Sequence, residues 1–321
     1  STNTSTNSGA SLTAGGVVTQ TATGTITTGA LELLGAGSFN LSNQNNNSAI
    51  LAASLTTAST GTLTYVDADS LTIDVAGGTT GITTNNSAVQ VSTTNGTLSV
   101  NNTANAIDIS AGTSTLALSA GSASNDNPIM VAAGASIAGT GGITLTGDNI
   151  SIGAGALINS GTARTTPRPF ETGTLINLGG NDGVNTLGLT SAEINTITAG
   201  VLEIGRASTG NSAGNVTIST NITPTGTNQL ELRTGGNNMN STGTLTVPRL
   251  ALTAGTGVGT SGTPIATAIS NLVGTTTSGG FFVSNTQNAA GGLTIGNVSP
   301  SLTGVSVGGG DISISTTRGS Q

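Results

Sequence analysis

The chain has 321 residues, of which 6% are charged and 2% aromatic, with 50 glycines, a net charge of −7, no Cys, His or Trp, and Arg as its only basic residue type. Lacking imidazole and thiol, it is without the side chains most used for acid–base work near neutral pH, thiol chemistry and transition-metal ligation, and its scattered charge points away from nucleic acid. Val, Ile and Leu recur throughout and mean hydropathy is +0.16, unlike the hydrophilic, highly charged composition of disordered chains; no apolar run approaches the ~18 residues of a membrane span.

Residues 1–16, STNTSTNSGASLTAGG, are polar and of low complexity and read as a junction or frayed end. The chain begins at Ser1 without a secretion signal, which reads as a processed protein or a fragment. From residue 17 to 163, short apolar-alternating units follow one another, each bounded by Gly, Asn, Ser or Thr, as expected of strands with one buried face joined by turns. The most regular stretch is Val89–Gly121. There Val89-x-Val91, Leu98-x-Val100, Ile107-x-Ile109 and Leu116-x-Leu118 recur at a nine-residue spacing.

Three-residue apolar units with so few large side chains fit a narrow interior better than a sandwich core. The expected architecture is therefore all-β, a parallel β-helix (β-solenoid) in which each strand stacks on its equivalent one turn later. Two nine-residue units make an 18-residue rung. That stacks Leu98 on Leu116 and Val89 on Ile107, with Leu71 continuing the column. Looser spacing elsewhere widens this to rungs of roughly 18–24 residues, about 13–17 in all, and a rod of roughly 60–80 Å.

The densest acids are Asp67, Asp69 and Asp74. Asp67 and Asp69 point to one side of a strand, where they are weak candidates for Ca²⁺ binding with backbone carbonyls; the competing reading is solvated acids on an outer face. Residues 164–173, with Arg164, Arg168, Phe170 and two prolines, read as an irregular loop leaving the regular repeat, and these three side chains are candidates for partner contact. The second solenoid stretch, 174–321, is expected to continue the first. It holds one helical turn within Leu189–Gly200, announced by the T-x-x-E capping box of Thr190 and Glu193. Phe281 and Phe282 form the only aromatic pair; alternation sends one ring inward and one outward, the outer one a further candidate for partner contact.

The phrases TLINLGG, LGLTSAE, ITAG, LEIG and VTIS between Thr174 and Ile222, with GGITLTGDNISIGAG before them and LTVPRLALTAG after, resemble repeats of filamentous-haemagglutinin-like giant bacterial surface adhesins. The resemblance covers about Gly141–Thr317. It implies a right-handed β-helix in an extracellular, secreted or cell-surface protein, and carries no catalytic residues or cofactor.

The expected function is thus an extracellular structural or adhesive rod, a segment of a large adhesin, and not an enzyme. A self-assembling subunit of a fibre, sheath or surface layer is the alternative, since the strand DISIST (Asp311–Thr316) leaves little room for a cap before Gln321. A polysaccharide-acting enzyme is remote, because the 13 acids are scattered without Lys or His partners. Expected partners are other copies or adjoining segments of the same chain, end to end or lateral, and a cell-surface or glycan target.

Overall fold

Alternation of apolar and small polar residues produces strands of two to nine residues that pair side by side with strands far along the chain. The computed structural model describes residues 9–56, 62–103, 107–121, 128–208, 211–235, 238–287 and 292–318. Among them the chain is nearly all β, in long parallel sheets, and it divides into two units, Ser1–Thr165 and Thr166–Gln321.

In the first unit, the strands Val18–Thr19, Phe39–Leu41, Thr62–Asp67, Ala88–Thr93, Leu116–Ala120 and Ile143–Thr146 lie in that order in one sheet. Their register aligns Phe39, Leu63, Val89, Leu116 and Ile143 in one buried column. Leu41, Tyr65, Val91, Leu118 and Leu145 form the next, two residues on, as the period-2 pleat requires. A second sheet starts with the strands Gly9–Ala14, Thr27–Gly35 and Asn47–Leu55. Asn47–Leu55 then pairs with two short strands at once: Leu71–Ile73 along Ile50 and Leu51, and Ile82–Thr84 along Ala53 to Leu55. Two files of short strands continue from these, one through Leu98–Val100, Pro128–Val131 and Asn149–Ile152, the other through Ile109–Ser110, Ser136–Ala138 and Leu157–Asn159.

This split corrects the expected stacking. Leu98 pairs with Leu71 and Ile129, and Val89 with Leu63 and Leu116. The return from Val89 to Leu116, or Leu71 to Leu98, is 27 residues, three nine-residue units instead of two. The third unit exists because one long strand side, seen at Asn47–Leu55, is replaced in later layers by two short strands. Ile107 is corrected too. It is 40% exposed, while Asp108 is 1% exposed and Ile109 fully buried.

Two other expectations change. Gly9–Ala14, inside the stretch read as a frayed junction, is a parallel strand with Ala10 opposite Leu31 and Leu12 opposite Leu33; residues 1–8 of that stretch lie outside the described residues. Arg164–Arg168, read as loop, is a strand whose central residues Thr165, Thr166 and Pro167 are buried. Pro removes a ladder donor and so argues for a loop, and this strand buries Thr and Pro where its neighbours bury Ile and Leu.

In the second unit, Leu202, Leu230, Leu250 and Leu272 form one buried column and Ile204, Leu232 and Leu252 another, with Gly274 the next position of the latter. Gly274 is small for a reason: a Cβ there would lie 2.3 Å from Cε2 of Phe281. A separate file runs through Leu175–Leu178, Val216–Ile218, Asn238–Ser241, Gly257–Val258, Phe281–Gln287 and Ile312–Arg318. The expected helical turn is present as Ser191–Ile194. Glu193 N–H donates to Thr190 Oγ1 at 3.3 Å and Thr190 N–H to Glu193 Oε2 at 2.9 Å.

Hydroxyl residues at the last position of a strand or just after it have a repeated task. Thr84 Oγ1 donates to the Ser87 carbonyl and Thr93 Oγ1 to the Gly96 carbonyl, each at 2.7 Å; Ser160 donates to Ala163 and Thr276 to Gly279 in the same three-residue span. A buried hydroxyl thus satisfies a carbonyl that the corner withdraws from the ladder.

Candidate functional site

The acids flagged in the sequence are not equivalent. Tyr65 and Asp67, two residues apart on the strand Thr62–Asp67, share its buried face, and both are 0% exposed. Asp67 Oδ2 accepts from Ser48 N–H at 2.8 Å and from the Tyr65 hydroxyl at 2.9 Å, and its Oδ1 accepts from Asp69 N–H at 3.1 Å. With the Tyr65 proton engaged by Asp67, the Ser48 hydroxyl donates to the Tyr65 oxygen across 2.8 Å. Asp69 is exposed and accepts from Asn47 Nδ2 at 2.8 Å. The reading of both acids as one outward pair is therefore corrected: the chain bends after Asp67, which turns inward to fix a corner between the two sheets. Both Asp67 oxygens hold protein donors, the arrangement of a structural anchor. Burial pushes the Asp67 carboxyl up to about 6, despite the hydrogen bonds from Ser48, Asp69 and Tyr65. Burial, and then the Asp67 charge, raise Tyr65 as well.

Further polar anchors escaped the sequence reading. Asn46, fully buried, donates to the Leu41 and Val66 carbonyls and accepts from Ile26 N–H. Asp108 accepts from Thr103 N–H at 2.8 Å, Thr103 Oγ1 at 2.6 Å and Ser136 N–H at 2.7 Å. That explains why Asp108 is buried and Ile107 displaced. In the second unit Asn285 accepts from Thr267 Oγ1 and Ile269 N–H and donates to the Ile269 carbonyl. An isolated acid or amide in a weakly charged sequence looks like surface; only its donors reveal it as buried.

Glu32 is held by a hairpin from much later in the chain. Gly78 N–H, in the turn between the antiparallel strands Val75–Ala76 and Thr79–Thr80, and Thr79 Oγ1, at the start of the second, donate to its Oε1 at 2.9 and 2.8 Å. The Gly78 N–H, then the Thr79 and Ser11 hydroxyls, hold its carboxyl below the usual range. Gly77 makes the approach possible: its φ is 62°, and a Cβ would lie 2.4 Å from the Glu32 carboxyl carbon. Gly77→Ala is expected to lower stability by about 1–2 kcal/mol, from left-handed strain and loosened hydrogen bonds. Urea denaturation checks this, with Gly78→Ala as the milder control, since a Cβ there meets nothing within 4 Å.

The candidates for partner contact divide in the same way. Arg164 and Arg168 are half-buried at the ends of their strand. Phe170 is 36% exposed, and its carbonyl accepts from Arg206 Nη2. Phe281 is fully buried, while Phe282 is half-buried and packs over Gly280, where a Cβ would meet its ring. Glu203 and Glu231 are register neighbours on the outer face of adjacent strands. Glu203 pairs with Arg233 at 3.2 Å and Glu231 accepts from Gln229 at 2.8 Å.

The strands at the far end of the second unit differ in how they finish. Thr294–Ile295 and Val305–Val307 both pair with Asn271–Thr276. The residues between them leave the sheet and cross its outer face, where Val298 and Leu302 pack on Ala251 and Val273. Arg249 ties this excursion down, donating to the Asn297 carbonyl through Nε and Nη2 at 3.0 and 2.9 Å. That last strand is thus short and interrupted. Ile312–Arg318, in contrast, runs unbroken for seven residues and pairs only with Phe281–Gln287 among the described residues.

Among the described residues no group of three or more His, Cys, Asp or Glu is placed to hold a metal ion, and no helix is long and apolar enough to cross a membrane. Comparison with protein-family models, with curated proteins and with solved structures finds no match to this chain.

Proposed function

We propose that this chain is a parallel β-solenoid serving as an extracellular structural or adhesive rod, right-handed and part of a large bacterial surface protein, as the resemblance to filamentous-haemagglutinin-like repeats implies. The observation that carries the reading is the return of the chain, in each unit, to the same parallel register layer after layer. In such a stack each layer touches only its neighbours, so layer number sets length, and stiffness follows from in-register columns and corner hydrogen bonds. The function is mechanical spacing. Its Ser, Thr and Asn sides offer neutral hydrogen-bonding groups to a glycan or cell-surface target.

A whole-layer deletion tests it. Val89 and Leu116 occupy equivalent places, so excising residues 89–115 joins equivalent ends and carries every neighbouring pairing across to the next layer. The shortened chain is expected to keep a β-type circular dichroism spectrum and cooperative unfolding. Excising residues 89–106, the 18 residues of the shorter repeat, is expected to unfold the first unit. Loss of structure in the 89–115 deletion would overturn the solenoid reading.

A further inference from the structure

We infer that Asn95 is a site of spontaneous covalent modification: its side-chain amide is lost as ammonia after attack by the Gly96 backbone nitrogen, leaving aspartate or isoaspartate at an exposed corner of the first unit. This chemistry is independent of the rod reading.

Asn95 and Gly96 form the only Asn-Gly pair in the chain. A side chain after asparagine shields the nitrogen that must reach Cγ. Glycine leaves that nitrogen open, and a five-membered ring closes with both reacting groups already held side by side. The fold puts this pair where the reaction has room. Asn95 is exposed, in the corner between the strands Ala88–Thr93 and Leu98–Val100. Thr93 pairs with Asp67 and Leu98 with Leu71, so residues 94–97 stand over only residues 68–70, and the corner bulges by one residue. Its Thr94 and Thr97 N–H groups are held, by the Asp67 carbonyl at 2.8 Å and by Ser70 Oγ at 3.1 Å. The Gly96 N–H meets no acceptor among the described residues, so its proton is open to hydroxide. Asn46 and Asn285, in contrast, are fully buried with their amides held, and precede Asn47 and Thr286.

The step needs only water. Hydroxide takes the Gly96 N–H proton, the nitrogen bonds to Asn95 Cγ, and the bond from Cγ to Nδ2 breaks, Nδ2 taking a proton from water and leaving as ammonia. Water then opens the cyclic imide. Breaking the new bond between Gly96 N and Cγ gives aspartate. Breaking the bond between Gly96 N and the Asn95 carbonyl carbon gives isoaspartate, whose main chain runs through Cγ and is one CH₂ longer. Nothing is oxidised or reduced. The corner is fitted to the original length. A Cβ at Gly96 would lie 2.4 Å from Ser70 N and 2.5 Å from the Asp69 carbonyl carbon, and the Gly96 carbonyl accepts from Oγ1 of buried Thr93. An added CH₂ drives Gly96 against that backbone or draws it away from Thr93. Either product also sets a carboxylate, ionised near neutral pH, beside the corner that carries Asp69.

Ageing the full chain at pH 7 and pH 9 tests this, with peptide mapping by electron-transfer fragmentation to tell aspartate from isoaspartate. Asn95 is expected to gain about 1 Da about tenfold or more faster than any other asparagine, and faster at pH 9, with about one ammonia released per chain. Asn95→Gln, whose longer side chain closes a ring less readily, is expected to abolish this fast phase while leaving circular dichroism and melting unchanged. Aged wild type is expected to melt earlier than fresh chain, and aged Asn95→Gln to melt as it did when fresh. An Asn95 left intact, other asparagines reacting as fast, or an Asn95 that reacts only in urea overturns the proposal. Aged wild type that melts like fresh chain overturns the strain assigned to the corner. The layer deletion is read separately, so failure of the modification and failure of the rod reading are told apart.

Discussion

Ile109→Asn is expected to destabilise the first unit by about 4 kcal/mol, through lost apolar burial and an amide without partners, whereas Ile107→Asn should change stability by less than about 0.5 kcal/mol. The two isoleucines are two residues apart and look alike in the alternating pattern. Yet Ile109 stands fully buried in the column Ala53–Ile82–Ile109–Ile137–Ile158, and Ile107 is 40% exposed. A loss of 4 kcal/mol is a large share of the stability of an ordinary domain, so the first variant is expected to melt far earlier or fail to accumulate. Thermal and urea denaturation of both variants decide the matter. Equal effects at the two positions would contradict the 27-residue register.

Asp67 gives the second large effect, through pH. Its carboxyl titrates near 6 in the folded chain and near the ordinary aspartate value of about 4 once unfolded. The folded state therefore binds this proton more tightly. The stability contribution is fully present below about pH 4 and is lost as pH rises to about 6, an effect of about 2 kcal/mol once solvent screening is allowed for. Glu32 runs the other way: its carboxyl is lowered, so its contribution is present above the ordinary glutamate range and lost as pH falls through its depressed folded value. Asp67→Asn isolates the first effect. The stability difference between wild type and this variant, measured by urea denaturation at pH 4, 5, 6 and 7, should shift toward the wild type on acidification. Asp67→Ala, which leaves Ser48 N–H, Asp69 N–H and the Tyr65 hydroxyl without their acceptor, should cost about 3 kcal/mol at pH 5. A difference that stays flat between pH 4 and 7 would remove Asp67 as a buried titrating group.

These two cases show how far the sequence carries. The strands at Val89, Leu98 and Leu116, the helical turn capped by Thr190 and Glu193, and the division of the Phe281–Phe282 pair into one buried and one less buried ring were legible, though not which ring was which, because alternation, capping spacing and turn residues act over a few positions. The anchors at Asp67, Asp108, Glu32 and Asn285 were not. Each is a polar residue whose donors come from 16 to 47 positions away or from a turn that local pattern does not place. The strands Gly9–Ala14 and Arg164–Arg168 were missed for a related reason, since Ala, Thr and Pro fill their buried faces and give a weak apolar signal.

The sequence by itself determined an all-β chain built on a nine-residue beat, with corners of Gly, Asn, Ser and Thr and little charge for chemistry. A strand plus a turn uses about nine residues whatever lies around it, so the beat is a local property. Only the tertiary structure decided that three beats, not two, return the chain to its own register between Val89 and Leu116, and that Ile107 lies outside and Asp108 inside. Register between strands is chosen by which columns fill and which polar groups find partners across a layer, and those neighbours are brought together only when the whole stack forms.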